Sequence, residues 1–160
     1  MKVVVDTNVI LSSLLGVPSS TPKQLLTAIQ TSHTLVMSLA MAAELGAVII
    51  RPKFSRLGTE KERVHNIQTL LSAPHIMAIV PTFTILHPDL LDVDDNRLLE
   101  VAIASDAALI VAGDNELLAL GAINGPHAID HFIASNHDSS IAPKILIMSP
   151  VDSLDYLQSS

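Results

Sequence analysis

Six polar residues stand where their types and spacing could do chemistry: Asp6, Asn8, Glu44, Asp95, Asp114 and Glu116. Asp6 ends the apolar run VVV and Asn8 follows two positions later, while Asp114 comes after LIV and Ala-Gly, with Glu116 two residues further on. An acid just after an apolar run is often only a turn residue or a helix cap, and one in a helix's first turn merely complements the macrodipole. Glu44 resists that account, because its helix-face neighbours Ala40, Ala47 and Val48 are apolar and an acid on such a stripe needs a partner. Two carboxylates about 4 Å apart repel by roughly 4 kcal/mol at an effective dielectric near 20. Three or four gathered together need a counter-charge. No Lys or Arg lies conveniently beside these positions in sequence, so a divalent cation is the expected partner. An all-oxygen donor set suits Mg²⁺ or Mn²⁺, whereas zinc prefers Cys or His. Such an ion can orient water and stabilise the charge that develops on a phosphodiester during in-line displacement.

The elements that must position these acids follow from hydrophobic period. Short runs rich in Val and Ile alternate with longer helical patterns, which predicts an α/β domain with a mainly parallel sheet. Strands are expected at Lys2–Val5, Thr34–Met37, Met77–Val80, Leu109–Val111 and Ile145–Met148. Thr21 as N-cap with Pro22 at the first helical position opens one helix. Ser38 caps the next, which carries Leu45, Val48 and Ile49 and stops near Arg51-Pro52. Glu60 to Leu71 reads as a third helix, Asp94 or Asp95 caps a fourth, and Pro150–Leu157 is the last. In a parallel sheet ligands sit beyond the carboxyl ends of the strands. Asp6 and Asp114 both occupy such ends, Asp95 lies in the first turn of the helix entering the strand before Asp114, and Glu44 lies in the helix leaving the second strand.

The chain has 160 residues, of which 49% are hydrophobic, which suffices for one domain over 1–160 with an aliphatic core. From about 121 to 143 the period is lost around Gly125-Pro126 and SNHDSS, giving an irregular excursion with at most a short helix at His127–Ala134. Cysteine is absent, so disulfides and thiolate zinc sites are excluded. No apolar run reaches the roughly 20 residues that span a bilayer, and the start lacks a signal-peptide pattern, so a soluble cytoplasmic protein without a membrane partner is expected. The formal charge is -7, with 16 acids against nine bases, which argues against long-range attraction to nucleic acid. The distribution is uneven. Arg51, Lys53, Arg56, Lys61 and Arg63 cluster in one segment, and that cluster, Arg51, Lys53 and Arg56 foremost, offers candidate RNA backbone contacts. Aromatic residues are too few for a base-stacking platform.

The stretches VVVDTNVILSSLLG, AAELGAVIIRPKF, DVDDNRLLEVAIASDAALIVAGDNELL and ILIMSPVDSLDYL, in this order and spacing, resemble PIN-domain proteins, and most closely the prokaryotic group assigned as toxins of toxin–antitoxin pairs. The resemblance covers most of the chain except about Gly121 to Pro143. It implies a three-layer sandwich with about five parallel strands between helices, and a metal-dependent ribonuclease site of three or four acids. Carried over by position, the metal-binding and catalytic acids fall on Asp6, Glu44, Asp95 and Asp114. Asn8 is the companion amide, Glu116 a supporting acid, and Asp94 an N-cap or outer acid beside Asp95. Cleavage of RNA to 5′-phosphate and 3′-hydroxyl ends, a small antitoxin covering the cleft, and a homo-oligomer, most simply a dimer, are implied in the same way. The sequence departs from its relatives at Ala112, where many carry Thr or Ser.

Other readings fare worse. A haloacid-dehalogenase-type phosphotransferase needs a second Asp where Asn8 stands, and a receiver domain needs a Lys that is absent between Lys61 and Lys144. Gly16 and Gly113 are isolated, so no dinucleotide fingerprint exists. His127 and His131 have a metal-compatible spacing near Asp130, but sit in a polar loop-rich stretch. The rival that remains is a PIN-like scaffold that binds RNA or a protein and no longer cleaves.

Overall fold

The computed structural model describes residues 1–79, 93–113, 116–119 and 145–159. Five strands form one sheet in the order β3-β2-β1-β4-β5: β1 Lys2–Val5, β2 Thr34–Ser38, β3 Ile76–Ile79, β4 Leu109–Val111 and β5 Leu146–Met148. Every neighbouring pair is parallel. β1 is central, with Val3 opposite Leu35 on one side and Leu109 on the other. Val3, Val4 and Val5 are at most 2% exposed, because both sheet faces are covered. That is why these strands read as unbroken Val and Ile runs. The expected α/β architecture is therefore present.

The helices whose bounds fall among the described residues are α1 Thr7–Leu15, α2 Thr21–Ser32, α3 Leu39–Ile49, α4 Glu60–Leu71, α5 Val93–Ser105 and α6 Pro150–Ser159. A short 3-10 helix at Pro52–Leu57 joins α3 to α4, with Phe54 buried. From β1 to β3 the chain steps one way across the sheet, and from β3 to β4 it returns past β1. Right-handed crossovers therefore put α5 on the face opposite α1 to α4. α5 packs against β1, β2, β3 and β4, while α1 packs on α2 and α3, and α2 on α6.

Local signals explain the helix starts. Ser38 accepts from the Met41 amide at 3.2 Å, as expected for the cap of α3. Thr59 and Glu62 form a reciprocal capping box on α4. Two expected caps are displaced. The N-cap of α2 is Ser20 rather than Thr21, with Pro22 one position inside the helix, where its missing N–H is still one of the unpaired donors. α5 starts at Val93, so Asp94 and Asp95 are both first-turn residues rather than caps. The excursion at 121–143, including His127, Asp130 and His131, lies outside the described residues. No helix among the described residues is long and apolar enough to cross a membrane.

Candidate active site at the carboxyl end of the sheet

β1 stops at Val5 because the next residue turns the chain into α1. The Asp6 amide still pairs with the Val111 carbonyl of β4 at 2.9 Å, whereas its side chain accepts from the Asn8 amide at 2.8 Å and caps α1. The cap and the candidate site thus share one carboxylate. Its position is fixed twice, by the sheet ladder through the backbone and by the helix start through the side chain. β2 likewise passes straight into α3, and one and a half turns along that helix Glu44 reaches the same crevice. There its Oε2 accepts a 3.3 Å hydrogen bond from the Thr7 hydroxyl. Thr7 is buried at 7% exposure, so this bond ties α1 to α3 underneath the acids. From the other face, α5 presents Asp94, exposed, and Asp95, 7% exposed.

Asp6, Thr7, Asn8, Met41, Glu44, Asp94, Asp95, Arg97 and Leu98 line one pocket of about 90 Å³. A pocket of this size accommodates a cation with a few waters. A second groove of about 330 Å³ shares Asp6 and Asn8 with it and continues over Ser12, Pro22, Gly113 and Pro150. A polymer lying in that groove would pass across the mouth of the acidic pocket at Asn8.

Three of the four acids expected from sequence, Asp6, Glu44 and Asp95, therefore share a pocket with Asn8 and Asp94. The fourth, Asp114, lies outside the described residues, although Gly113 just before it borders the adjoining groove. Glu116 is exposed within the helical residues 116–119 and does not line the pocket. Arg51, Lys53 and Arg56 are exposed at the far end of α3 and on the 3-10 helix, and line neither the pocket nor the groove. Arg63 from the same basic run is buried, donating to the carbonyls of Ile49 at 2.7 Å and Arg51 at 2.9 Å. It closes the carboxyl end of α3 and is a structural residue.

Two residues were not legible as members of the site. Thr7 is hidden between two conspicuous polar neighbours. Arg97 corrects the expectation that no base adjoins the acids: it pairs with Asp94 at 2.7 Å, three residues earlier on α5. The i,i+3 spacing on one helix was the available signal.

As for a metal, the donors facing the pocket are carboxylates, a hydroxyl and an amide, with no His or Cys, which fits a hard divalent ion. Among the described residues no group of three acids or histidines is already drawn close enough to hold one. Asp6, Glu44 and Asp95 are the described residues that would converge on it.

A family model described as "PIN domain" matches residues 2–116. An uncharacterized protein of Methanocaldococcus jannaschii is 30% identical over 122 residues, covering 75% of each chain. The matched span takes in β1 to β4 and every described residue of the acidic pocket. With that much of the chain matched, and the parallel sheet that such a match entails in place, the protein belongs to the PIN-domain family.

Proposed function

We propose that the chain is a metal-dependent endoribonuclease. PIN domains are generally nucleases, which supports a hydrolase acting on nucleic acid. The observation that carries the narrower reading is the meeting of Asp6, Glu44 and Asp95, from three separate chain segments, in one small pocket at the carboxyl ends of β1 and β2. Asp6, Glu44 and Asp95, with Asp114, would hold Mg²⁺ or Mn²⁺. Such an ion, when bound, supplies the counter-charge the acids need and stabilises charge on the phosphate under attack.

The chain's own residues do the positioning. The Asp6 carboxylate is held by the Asn8 amide, so one of its oxygens is committed to the helix and its orientation is fixed. Thr7 holds Glu44 in the same manner. The Asn8 side chain is exposed at the junction of pocket and groove, where an amide can hydrogen-bond a phosphate oxygen or the acid beside it. Water attacks phosphorus as the bond from phosphorus to the 3′ oxygen breaks; a carboxylate of the cluster takes the water's proton and the departing 3′ oxygen gains one from solvent, giving 5′-phosphate and 3′-hydroxyl ends. Action as the toxin of a toxin–antitoxin pair in the cytoplasm, with a small antitoxin over the acidic pocket and a homodimeric assembly, completes the proposal.

Single-stranded and structured RNA incubated with the protein and Mg²⁺, Mn²⁺ or chelator tests it. Metal-dependent cleavage that vanishes in Asp6→Asn is expected. Asn caps helices as well as Asp does, so this substitution removes charge without removing the start of α1. A second reading, a PIN scaffold that binds RNA or a protein without cutting, draws on Ala112, which offers no hydroxyl next to the site. RNA retention indifferent to metal and to Asp6→Asn would favour it.

A further inference from the structure

We propose that Arg97 binds the substrate's phosphodiester at the acidic pocket, exchanging Asp94 for a phosphate oxygen when RNA arrives. The inference rests on the nuclease reading above and assigns the basic side chain which that reading otherwise lacks. Four carboxylates line the pocket, Asp6, Glu44, Asp94 and Asp95, and the chain carries a formal charge of -7. A polyanion approaching such a surface is repelled until a bound ion offsets part of the charge, and a base at the mouth lowers the repulsion further. Among the described residues lining the pocket, Arg97 is the one base. The sequence cluster at Arg51, Lys53 and Arg56 borders neither pocket nor groove.

The geometry lets Arg97 change partners at little cost. Its pair with Asp94 is a single contact between Nη1 and Oδ1 at 2.7 Å, and the two side chains are 47% and 61% exposed. Ion pairs of this exposure contribute little to stability. A guanidinium has five N–H donors in a planar fork, and only one is engaged with Asp94. The rest match the two non-bridging oxygens of a phosphodiester, an arrangement that Lys reproduces only as a point charge. The backbone of Arg97 is held in place by its neighbours Asn96 and Leu98, which are buried at 3% and 5% exposure, so the fork swings from a fixed base. Asp94 thereby parks the guanidinium at the rim in the absence of RNA and keeps it out of the cluster formed by Asp6, Glu44 and Asp95.

Steady-state cleavage of a single-stranded RNA in Mn²⁺ by the wild-type chain, Arg97→Gln, Arg97→Lys and Arg56→Gln tests the assignment. RNA affinity is measured in parallel in an Asp6→Asn background, and Mn²⁺ affinity by calorimetry. Loss of a charge-assisted contact to phosphate is expected to raise KM and the RNA Kd about tenfold or more in Arg97→Gln. Arg97→Lys should recover part of that loss, Arg56→Gln should cost less than Arg97→Gln although it removes the same charge, and Mn²⁺ affinity should not weaken in Arg97→Gln. A KM and Kd for Arg97→Gln equal to the wild type, or a larger cost in Arg56→Gln, overturns the role of Arg97 and leaves the nuclease reading standing. Absence of metal-dependent cleavage by the wild-type chain overturns both.

Discussion

Arg63→Ala is expected to weaken the fold, because Arg63 is buried whereas the basic residues beside it in sequence are exposed. Arg63 is 6% exposed, and its Nη1 donates to the Ile49 carbonyl at 2.7 Å and the Arg51 carbonyl at 2.9 Å. The third contact, Nε to the Thr59 carbonyl at 3.4 Å, is too long to count for much. Hydrogen bonds from charged donors contribute about 1.5–3 kcal/mol each when buried, and the partly exposed bond to Arg51 falls nearer 1 kcal/mol. Both acceptors lie at the carboxyl end of α3, so the guanidinium also offsets the negative end of that helix. Against this, Arg63 borders a cavity of about 430 Å³, into which water can come to solvate the abandoned carbonyls. The net expectation is a loss of about 2–4 kcal/mol. With a urea m-value of about 2 kcal/mol/M for a domain of this size, the unfolding midpoint should fall by roughly 1–2 M, read by circular dichroism. Arg63→Lys keeps the charge without the two-carbonyl grip and should lie between. A midpoint for Arg63→Ala within about 0.3 M of wild type would refute the assignment of Arg63 as the residue that closes α3.

Thr7→Val removes the hydroxyl that holds Glu44 while keeping shape, so it should cost about 1 kcal/mol in chemical denaturation, with Thr7→Ser close to wild type. Gly58→Ala should destabilise by about 1–2 kcal/mol, since Gly58 has φ of 108° and an added Cβ would press on the Glu62 carboxylate of the capping box; thermal melts report it. His33 titrates below its ordinary 6.5, first because burial disfavours the imidazolium and second because the amino-terminal ammonium lies 3.3 Å away, against a backbone hydrogen bond with Leu157 that favours it. The unfolded chain therefore takes up this proton first. His33's contribution is full above pH 6.5 and declines as pH falls through the folded value, so His33→Gln should flatten the Tm profile between pH 7.5 and 5.

Much of the architecture was legible because buried parallel strands leave a blunt signal: β1 and β4 begin and end where their Val and Ile runs do, and α4 is bounded by its own capping box. β2, β3 and β5 differ from expectation by a residue or so at an end, where strand and turn compete for the same backbone. α1 is missing from the helices expected from sequence, because Asp6, an acid at a strand end, is also its cap. Val93 opens α5 although it is apolar and 57% exposed, so no pattern announces it. The acids Asp6, Glu44 and Asp95 could be nominated from their strand-end and helix positions, but their meeting depends on β1 lying between β2 and β4, and strand order is a property of the whole sheet. Arg63 and Arg97 show the same limit from the other side. A base reveals its charge in sequence, whereas burial beneath one helix end or partnership with an acid a turn away depends on packing.

The central place of β1 also sets a timetable for folding. Its partner Leu109 is synthesised more than a hundred residues after Val3, so until β4 arrives one edge of β1 has no ladder and the Asp6 amide has no Val111 carbonyl to meet. Such distant pairings close late. A chain ending before Leu109 is thus expected to lack a formed acidic pocket and to be cut readily by protease within its first strands, so the nascent chain has no assembled candidate site until most of its length has been made.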